Sequence, residues 1–411
     1  MADTQFKMDT KTGNILPVID SDQVRDSDAQ SIMQTYGRLP ITLVKGSGVH
    51  VWDASGKQFL DFLAGIAVNG VGHCHPTVVR AIQDQAATLI HTSNLYYTQP
   101  GARLAEALKR HSIFDRVFFC NSGAEANEAA IKIARKYGKQ KAGVEKFEIV
   151  SADRSFHGRT LATVTATGQE KYQTPFAPLP AGFVHVPYND EAALTAAVGP
   201  QTCAVLLEPI QGESGVYPAS KAYLDCARAL CDKFDALLIF DEIQTGMGRT
   251  GHWWAYEHFD VKPDVITSAK ALGGGVPIGA LLARGASAEV LVPGDHGTTF
   301  GGNPLAASAA LAVIDVMETE HLVSNAHAMG AYFLHRLSES PMREKFSDVR
   351  AVGLMIGVDL VAKDARRVQS DCLSKGLILN AIGDSTLRLL PPLIVQQSEV
   401  DVAISILQSV L

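Results

Sequence analysis

The chain has 411 residues, of which 46% are hydrophobic and 19% charged, so it can bury a sizeable core in more than one domain. The formal net charge is −7 and no dense run of Lys and Arg occurs, which argues against nucleic acid as a partner. We expect a cytoplasmic protein without a membrane partner or a metal site. No apolar run could span a membrane, the start is polar and aspartate-rich, and the six cysteines form no C-x-x-C pair.

The pattern along the chain predicts four parts. Residues 1–30 lack apolar periodicity and are predicted to be a flexible N-terminal tail. Residues 31–75 read as a meander with glycine turns, expected to pack with the smaller domain. Residues 76–302 alternate strand and helix patterns, which is typical of an α/β domain with a mostly parallel sheet, and residues 303–411 suggest a smaller α+β domain. The strands predicted in the large domain are 117–120, 147–150, 183–186, 204–208, 237–241 and 265–267.

Polar residues follow the first of these strands. After VFFC come Asn121, Ser122, Gly123 and Ala124, which lead into the helical pattern AAIKIARKYG. A polar cap followed by small residues leaves the first backbone N–H groups of a helix open to a phosphate. An ordinary N-cap explains this motif equally well.

A second strand end carries a carboxylate. The apolar run LLIF ends in Asp241, which is either a structural ion-pair partner or a site group. The Gly246–Gly251 stretch matches G-x-G-x-x-G, but it follows its strand late and leads into HWWAYE. It is therefore not interpreted as a dinucleotide fingerprint.

The third strand end carries Lys270, which stands between a short apolar strand and three glycines. A lysine held there loses solvent and therefore loses its proton more easily, as a Schiff-base nucleophile requires. A surface lysine in a loop is the alternative. A serine–lysine hydrolase pair in its usual spacing is excluded, because Thr267 stands three residues earlier.

Together the three strand ends fit one cofactor, pyridoxal phosphate. Its phosphate needs backbone donors, its aldehyde needs a lysine, and its ring nitrogen needs a carboxylate. Strand ends of a parallel sheet meet at one edge, where ligands bind.

Six blocks in order over most of the chain resemble the class III aminotransferases, pyridoxal-phosphate enzymes of fold type I. They are NSGAEANEAAIK, SFHGRT, EPIQGESGV, IFDEIQTGMGRTG, TSAKALGGGVPIGA and HGTTFGGNPLA. One departure is Ala124, where a threonine is common in the family.

The resemblance implies a set of cofactor-binding residues. Lys270 would bind the aldehyde and then act as the general base, with Asp241 on the ring nitrogen. Gln244 would contact the ring hydroxyl and Phe156 would stack on the ring face. The helix start at Ser122, Gly123 and Ala124 would hold the phosphate, together with Thr299 of a neighbouring subunit, which implies a homodimer with shared active sites.

The resemblance also implies how substrates bind. Arg159 would bind the carboxylate farthest from the reacting amine, and Arg388 would bind the α-carboxylate of glutamate. Glu213 would pair with Arg388 when the ω-amino substrate is bound. Thr298 and Tyr36 are weaker candidates for substrate contacts.

The implied reaction moves the δ-amino group of N2-acetyl-L-ornithine to 2-oxoglutarate. Order and spacing of the blocks favour this reaction over transamination of ornithine, succinylornithine or 4-aminobutyrate. A mutase or a decarboxylase on the same fold fits less well.

Overall fold

The computed structural model describes residues 6–8, 15–17, 20–339 and 341–411, so part of the predicted tail lies outside the described residues. In chain order the strands are β1 Phe6–Met8, β2 Ile15–Pro17, β3 Leu43–Ser47, β4 His50–Asp53, β5 Gln58–Asp61, β6 Arg116–Cys120, β7 Glu148–Ala152, β8 Phe183–Val186, β9 Thr202–Leu207, β10 Ile210–Gln211, β11 Tyr217–Pro218, β12 Leu237–Asp241, β13 Val265–Ser268, β14 Gly279–Ala283, β15 Phe346–Val352, β16 Met355–Leu360, β17 Leu377–Ile378, β18 Asn380–Ile382 and β19 Thr386–Leu389.

The α-helices are α1 Ser21–Ser31, α2 Ala64–Ala67, α3 Pro76–Thr88, α4 Gln99–Arg110, α5 Gly123–Ala142, α6 Leu161–Ala166, α7 Glu170–Gln173, α8 Glu191–Ala197, α9 Lys221–Phe234, α10 Tyr256–Phe259, α11 Pro304–Thr319, α12 Leu322–Glu339, α13 Ala365–Ser374 and α14 Gln397–Gln408. Short 3-10 helices occupy Thr174–Phe176, Lys270–Gly273, Gly285–Glu289 and Pro341–Lys345. Within the described ranges, every helix is too short or too polar to cross a membrane.

Helix α1 lies in the second half of the segment predicted as a tail. Its N-cap is Asp20, whose carboxylate accepts from the backbone N–H groups of Asp22 and Gln23, and the helix buries no residue. Without a buried face the helix has no apolar periodicity, and this is why the sequence pattern did not reveal it.

A seven-stranded sheet, in the order β6-β14-β13-β12-β9-β7-β8, forms the centre of the large domain. All of its strands are parallel except β14, which is antiparallel to both β13 and β6. The chain between β13 and β14 is too short for the helical crossover that a parallel connection needs, so β14 returns antiparallel. Helix α5 packs against this sheet and directs its first turn to the carboxyl ends of the strands.

The two ends of the chain share a smaller sheet. Strands β3, β4 and β5 form an antiparallel meander, and β17 from the C-terminal part pairs in parallel with β5. A separate antiparallel sheet has the order β15-β16-β19-β18.

The Gly246–Gly251 stretch forms turns and does not begin a helix. The fully buried Arg249 within it donates to the carbonyl oxygens of Leu354 (3.0 Å) and Pro391 (2.5 Å). These bonds tie the C-terminal part of the chain to the large domain, close to the strand that carries Arg388.

Candidate active site

A cavity of about 440 Å³ opens at the carboxyl ends of β12 and β13. It brings together most of the predicted site residues, namely Ser122, Gly123, Ala124, Phe156, Arg159, Glu213, Asp241, Gln244 and Lys270. Residues from five separate stretches of chain therefore meet at one edge of the sheet, where ligands of open α/β sheets bind.

Lys270 begins the turn after β13 with a φ of +42°, a conformation that non-glycine residues rarely adopt. Such strain costs on the order of 1–3 kcal/mol and persists only where the surrounding structure holds it. Burial lowers the pKa of Lys270, and the positive charge of Arg388 lowers this pKa further, while three carboxylates around the cavity oppose both effects. The amine is therefore more readily available as a nucleophile and base than a surface lysine.

Asp241 ends β12 and is 4% exposed. Its Oδ2 accepts from Nδ2 of Asn127 (2.7 Å) and lies 2.8 Å from Nδ1 of His157, while its Oδ1 accepts from the backbone N–H of Ile243 (3.0 Å). These three hydrogen bonds fix the orientation of the buried carboxylate at the end of β12. The sequence prediction missed Asn127 and His157, although both stand inside the blocks NSGAEANEAAIK and SFHGRT.

The start of α5 forms another wall of the cavity. Ser122 is its N-cap, and its hydroxyl accepts from the backbone N–H of Glu125 (3.2 Å). The N–H groups of the first turn have no acceptor within the helix and line the cavity at Gly123 and Ala124. A Cβ at Gly123 would lie 2.8 Å from Cδ1 of Ile243, so a larger residue there would force the Ile243 side chain to move.

Arg388, on β19, is 2% exposed and lies beside Gln244 and Glu213. Its guanidinium donates to Oε2 of Glu213 (3.2 Å), to the Gly212 carbonyl (2.9 Å) and to Oδ1 of Asn380 (2.8 Å). Its Nε is buried and has no hydrogen-bond partner within the part of the chain that the structure describes. Burial lowers the pKa of Arg388, whereas Glu213 raises it.

Four predicted residues lie outside the cavity lining, and one of them, Arg388, contacts the lining residue Glu213. Tyr36 is 73% exposed and its ring contacts Arg38 rather than the cavity, because residues 31–40 are exposed throughout. Thr298 accepts from Nδ2 of Asn121 (2.9 Å), which places it just behind the cavity wall, and Thr299 is exposed. Within its own chain, Thr299 is not brought to the cavity.

Glu208, which the sequence prediction did not single out, is a buried cavity residue. Its Oε2 accepts from the backbone N–H of Phe156 (3.0 Å) and its Oε1 from that of Gly212 (3.3 Å). Burial raises the pKa of Glu208 from its usual 4.5 to about 7, and nearby Asp241 raises it too, while His157 lowers it. The sequence signal was its place at the end of the predicted strand 204–208, directly after the apolar run AVLL.

This raised pKa predicts a pH effect on stability. The folded protein binds the Glu208 proton more tightly than the unfolded chain does, so this contribution is present below pH 4.5 and lost as the pH rises to about 7. In the parent protein this lost proton should lower the free energy of unfolding by up to about 3 kcal/mol between these pH values, and in Glu208→Gln that decrease should be absent. Urea unfolding of the cofactor-free protein across this range measures it, with the exposed Glu344→Gln as control. If the free energy of unfolding of Glu208→Gln depends on pH as steeply as that of the parent protein, the prediction is wrong.

The residues in the cavity fit pyridoxal phosphate. Lys270 supplies an amine whose pKa burial lowers, Asp241 supplies a buried carboxylate, and the start of α5 places the backbone of Gly123 and Ala124 against the cavity, where their N–H groups can bind a phosphate. The sheet order with its single antiparallel strand and the lysine after β13 define an α/β enzyme of the pyridoxal-phosphate-dependent fold type I.

The chain belongs to the class III aminotransferases, whose members depend on pyridoxal phosphate: the family model "Aminotransferase class-III" matches residues 32–411. It is 52% identical over 386 residues to acetylornithine aminotransferase of Methanocaldococcus jannaschii, covering 94% of this chain and 97% of that protein. It is 49% identical over 381 residues to the protein of the same name from Caldanaerobacter subterraneus, covering 92% and 97%.

Solved structures show the same similarity. The crystal structure of acetylornithine aminotransferase from Elizabethkingia anophelis is 33% identical with a TM-score of 0.84, covering 95% of this chain and 99% of that one. Ornithine aminotransferase from Toxoplasma gondii is also 33% identical, with a TM-score of 0.91 and coverage of 95% and 94%. The predicted fold class and family are confirmed.

Proposed function

We propose that this enzyme transfers the δ-amino group of N2-acetyl-L-ornithine to 2-oxoglutarate, giving N-acetyl-L-glutamate 5-semialdehyde and L-glutamate, as a step of arginine biosynthesis. The observation that carries the proposal is the buried Arg388 beside Glu213, with Arg159 at the rim of the same cavity. The names of the relatives at about 50% identity support the same substrate.

Bound pyridoxal phosphate supplies the electron sink that stabilises negative charge on the substrate carbon. The amine of Lys270 would take a proton from the substrate carbon that bears the amino group and deliver it to the cofactor carbon that had been the aldehyde. Asp241 would hold the ring nitrogen in its protonated form. Its orientation is set by Asn127 and His157, whose hydrogen bonds reach the same oxygen, Oδ2.

The two arginines account for two substrates that react at different ends. Acetylornithine reacts at a terminal CH₂–NH₂ group, so its α-carboxylate binds Arg159 and leaves Arg388 without a carboxylate. An unpaired buried guanidinium is costly, and Glu213 compensates it. Glutamate reacts at its α-carbon, so its γ-carboxylate binds Arg159 and its α-carboxylate replaces Glu213 on Arg388.

The experiment that tests the function is a comparison of amino donors with 2-oxoglutarate as acceptor. Acetylornithine should give the highest kcat/KM among acetylornithine, ornithine, succinylornithine and 4-aminobutyrate. Free ornithine carries a charged α-amino group that must be desolvated beside Arg159, which lowers its rate. A higher kcat/KM with ornithine would overturn the acetylornithine assignment and leave the aminotransferase assignment intact.

The Glu213–Arg388 pair predicts opposite effects on the two half-reactions. Glu213→Ala should leave Arg388 open, which improves the glutamate half-reaction relative to the acetylornithine one by about 10-fold or more, since a charged hydrogen bond contributes roughly 1.5–3 kcal/mol. Arg388→Ala should do the reverse, and Arg159→Ala should slow both. Stopped-flow measurement with each donor alone distinguishes these cases. Equal slowing of both donors by Glu213→Ala would mean that the glutamate only supports the scaffold.

We propose a homodimer whose active sites are shared, with Thr299 completing the phosphate site of the neighbouring subunit. The exposure of Thr299 in its own chain supports this arrangement. Mixing inactive Lys270→Ala with an inactive Thr299→Trp variant should restore activity, up to about one quarter of the sites if subunits mix at random. Mass photometry and exchange of tagged subunits serve as controls, and exchange without recovered activity would refute sharing.

A further inference from the structure

The guanidinium of Arg159 is held by aromatic rings. Its central carbon lies 4.0 Å from the ring centroid of Tyr172 and 5.7 Å from that of Phe156. Arg159 is exposed at the cavity rim, and no hydrogen bond or ion pair restrains its side chain within the described part of the chain. The face of Tyr172 is therefore its closest restraint, at a distance typical of a cation–π contact.

Tyr172 itself is held against Phe156, a residue that lines the cavity. Its ring meets that of Phe156 edge to face, with centroids 6.0 Å apart and planes at 81°. It lies on α7, whose last residue, Gln173, donates to the carbonyl oxygens of Thr165 (3.1 Å) and Thr167 (2.6 Å). The short helix is thus anchored to buried backbone, and the ring has a defined position.

Burial lowers the pKa of Arg388, and Tyr172 is among the groups that raise it, so Tyr172 belongs to the surroundings of both arginines. A guanidinium lying over a ring keeps its N–H edges free for a carboxylate, so this contact orients Arg159 without using up its donors.

We propose that Tyr172 is a positioning residue of the substrate site, whose ring orients the guanidinium of Arg159 for the distal carboxylate of a five-carbon dicarboxylate or the α-carboxylate of an N-acylated diamino acid. This inference rests on the proposed function, in which Arg159 binds the distal carboxylate. Without the ring, Arg159 would keep its charge but its guanidinium would adopt several orientations. The affinity for both substrates should therefore fall, while the rate of the chemical step should not change.

Binding of glutarate to the cofactor-loaded enzyme, measured by calorimetry, tests the proposal, since glutarate has both carboxylates and no amine to react. Tyr172→Leu should weaken glutarate about 3- to 30-fold and raise KM for acetylornithine and glutamate similarly, with kcat within about 2-fold. Tyr172→Phe keeps the ring and should retain affinity within about 3-fold. Phe176→Leu, an exposed aromatic four residues on, is the matched control and should change nothing.

A double-mutant cycle separates this inference from the function on which it rests. Arg159→Ala should weaken glutarate, and adding Tyr172→Leu to it should cause no further loss. If Arg159→Ala leaves glutarate binding unchanged, the assigned role of Arg159 is wrong. If it weakens binding and Tyr172→Leu does not, the role of Tyr172 is wrong. Cofactor absorbance and thermal unfolding check the fold, and Tyr172→Thr provides a second non-aromatic variant to decide the case if the leucine variant misfolds.

Discussion

Lys270→Ala should eliminate the visible absorption of lysine-linked cofactor and reduce turnover by at least about 10²- to 10⁴-fold. The amine is both the attachment point and the proposed base, and burial and the charge of Arg388 lower its pKa, which favours the neutral amine that both tasks require. Cofactor held by the start of α5 and by Asp241 should remain bound without the linkage. Equilibrium dialysis, absorption spectra and single-turnover rates measure these effects separately.

Lys262→Ala is a suitable control, because this lysine lies on the surface just before β13. It should keep the spectrum and the turnover of the parent enzyme. If Lys270→Ala keeps the absorption of lysine-linked cofactor, another lysine is the attachment point and the site assignment fails.

Asp241→Asn should lower turnover by about 10²-fold or more, since it keeps the shape of the side chain and removes the charge opposite the ring nitrogen. The neutral amide no longer stabilises the positive charge of a protonated ring nitrogen, so the ring nitrogen should lose its proton as well. The amide also cannot accept all three hydrogen bonds that the carboxylate accepts from Asn127, His157 and Ile243. Nitrogen NMR of labelled cofactor reports that proton directly and does not depend on turnover.

The neighbouring Glu242 provides a matched comparison. Its carboxylate is also buried, but it accepts from Thr245 and from the backbone N–H groups of Ala255 and Tyr256. Glu242→Gln should therefore lower the unfolding temperature and leave the nitrogen signal of the cofactor unchanged. Near-normal turnover in Asp241→Asn would reduce Asp241 to a structural residue.

Much of the site could be read from local patterns. Asp241 and Lys270 each follow a short apolar run, and the helix start at Ser122 follows another. Parallel strands place their carboxyl ends at one edge, so these groups had to lie near one another once the runs were recognised as strands. The resemblance added Arg159, Glu213 and Arg388 to this set.

Some elements left no local signal. Helix α1 buries no side chain and so shows no apolar period. Strand β14 was visible only as an apolar run, because the direction of a strand depends on the length of the connection before it and on its neighbours.

The sequence by itself determined which chemical groups stand at the strand ends, because the apolar runs show where each buried strand stops. Parallel strands then place those ends at the same edge of the sheet. Only the tertiary structure decided what surrounds those groups. Asn127 and His157 contact Asp241 although they lie 114 and 84 positions away in the sequence. Tyr172 contacts Arg159 because the short helix α7 folds back over it. Local periodicity shows which face of a helix or strand is buried. These contacts depend instead on how separate elements pack against each other, and a local sequence pattern carries no information about that packing.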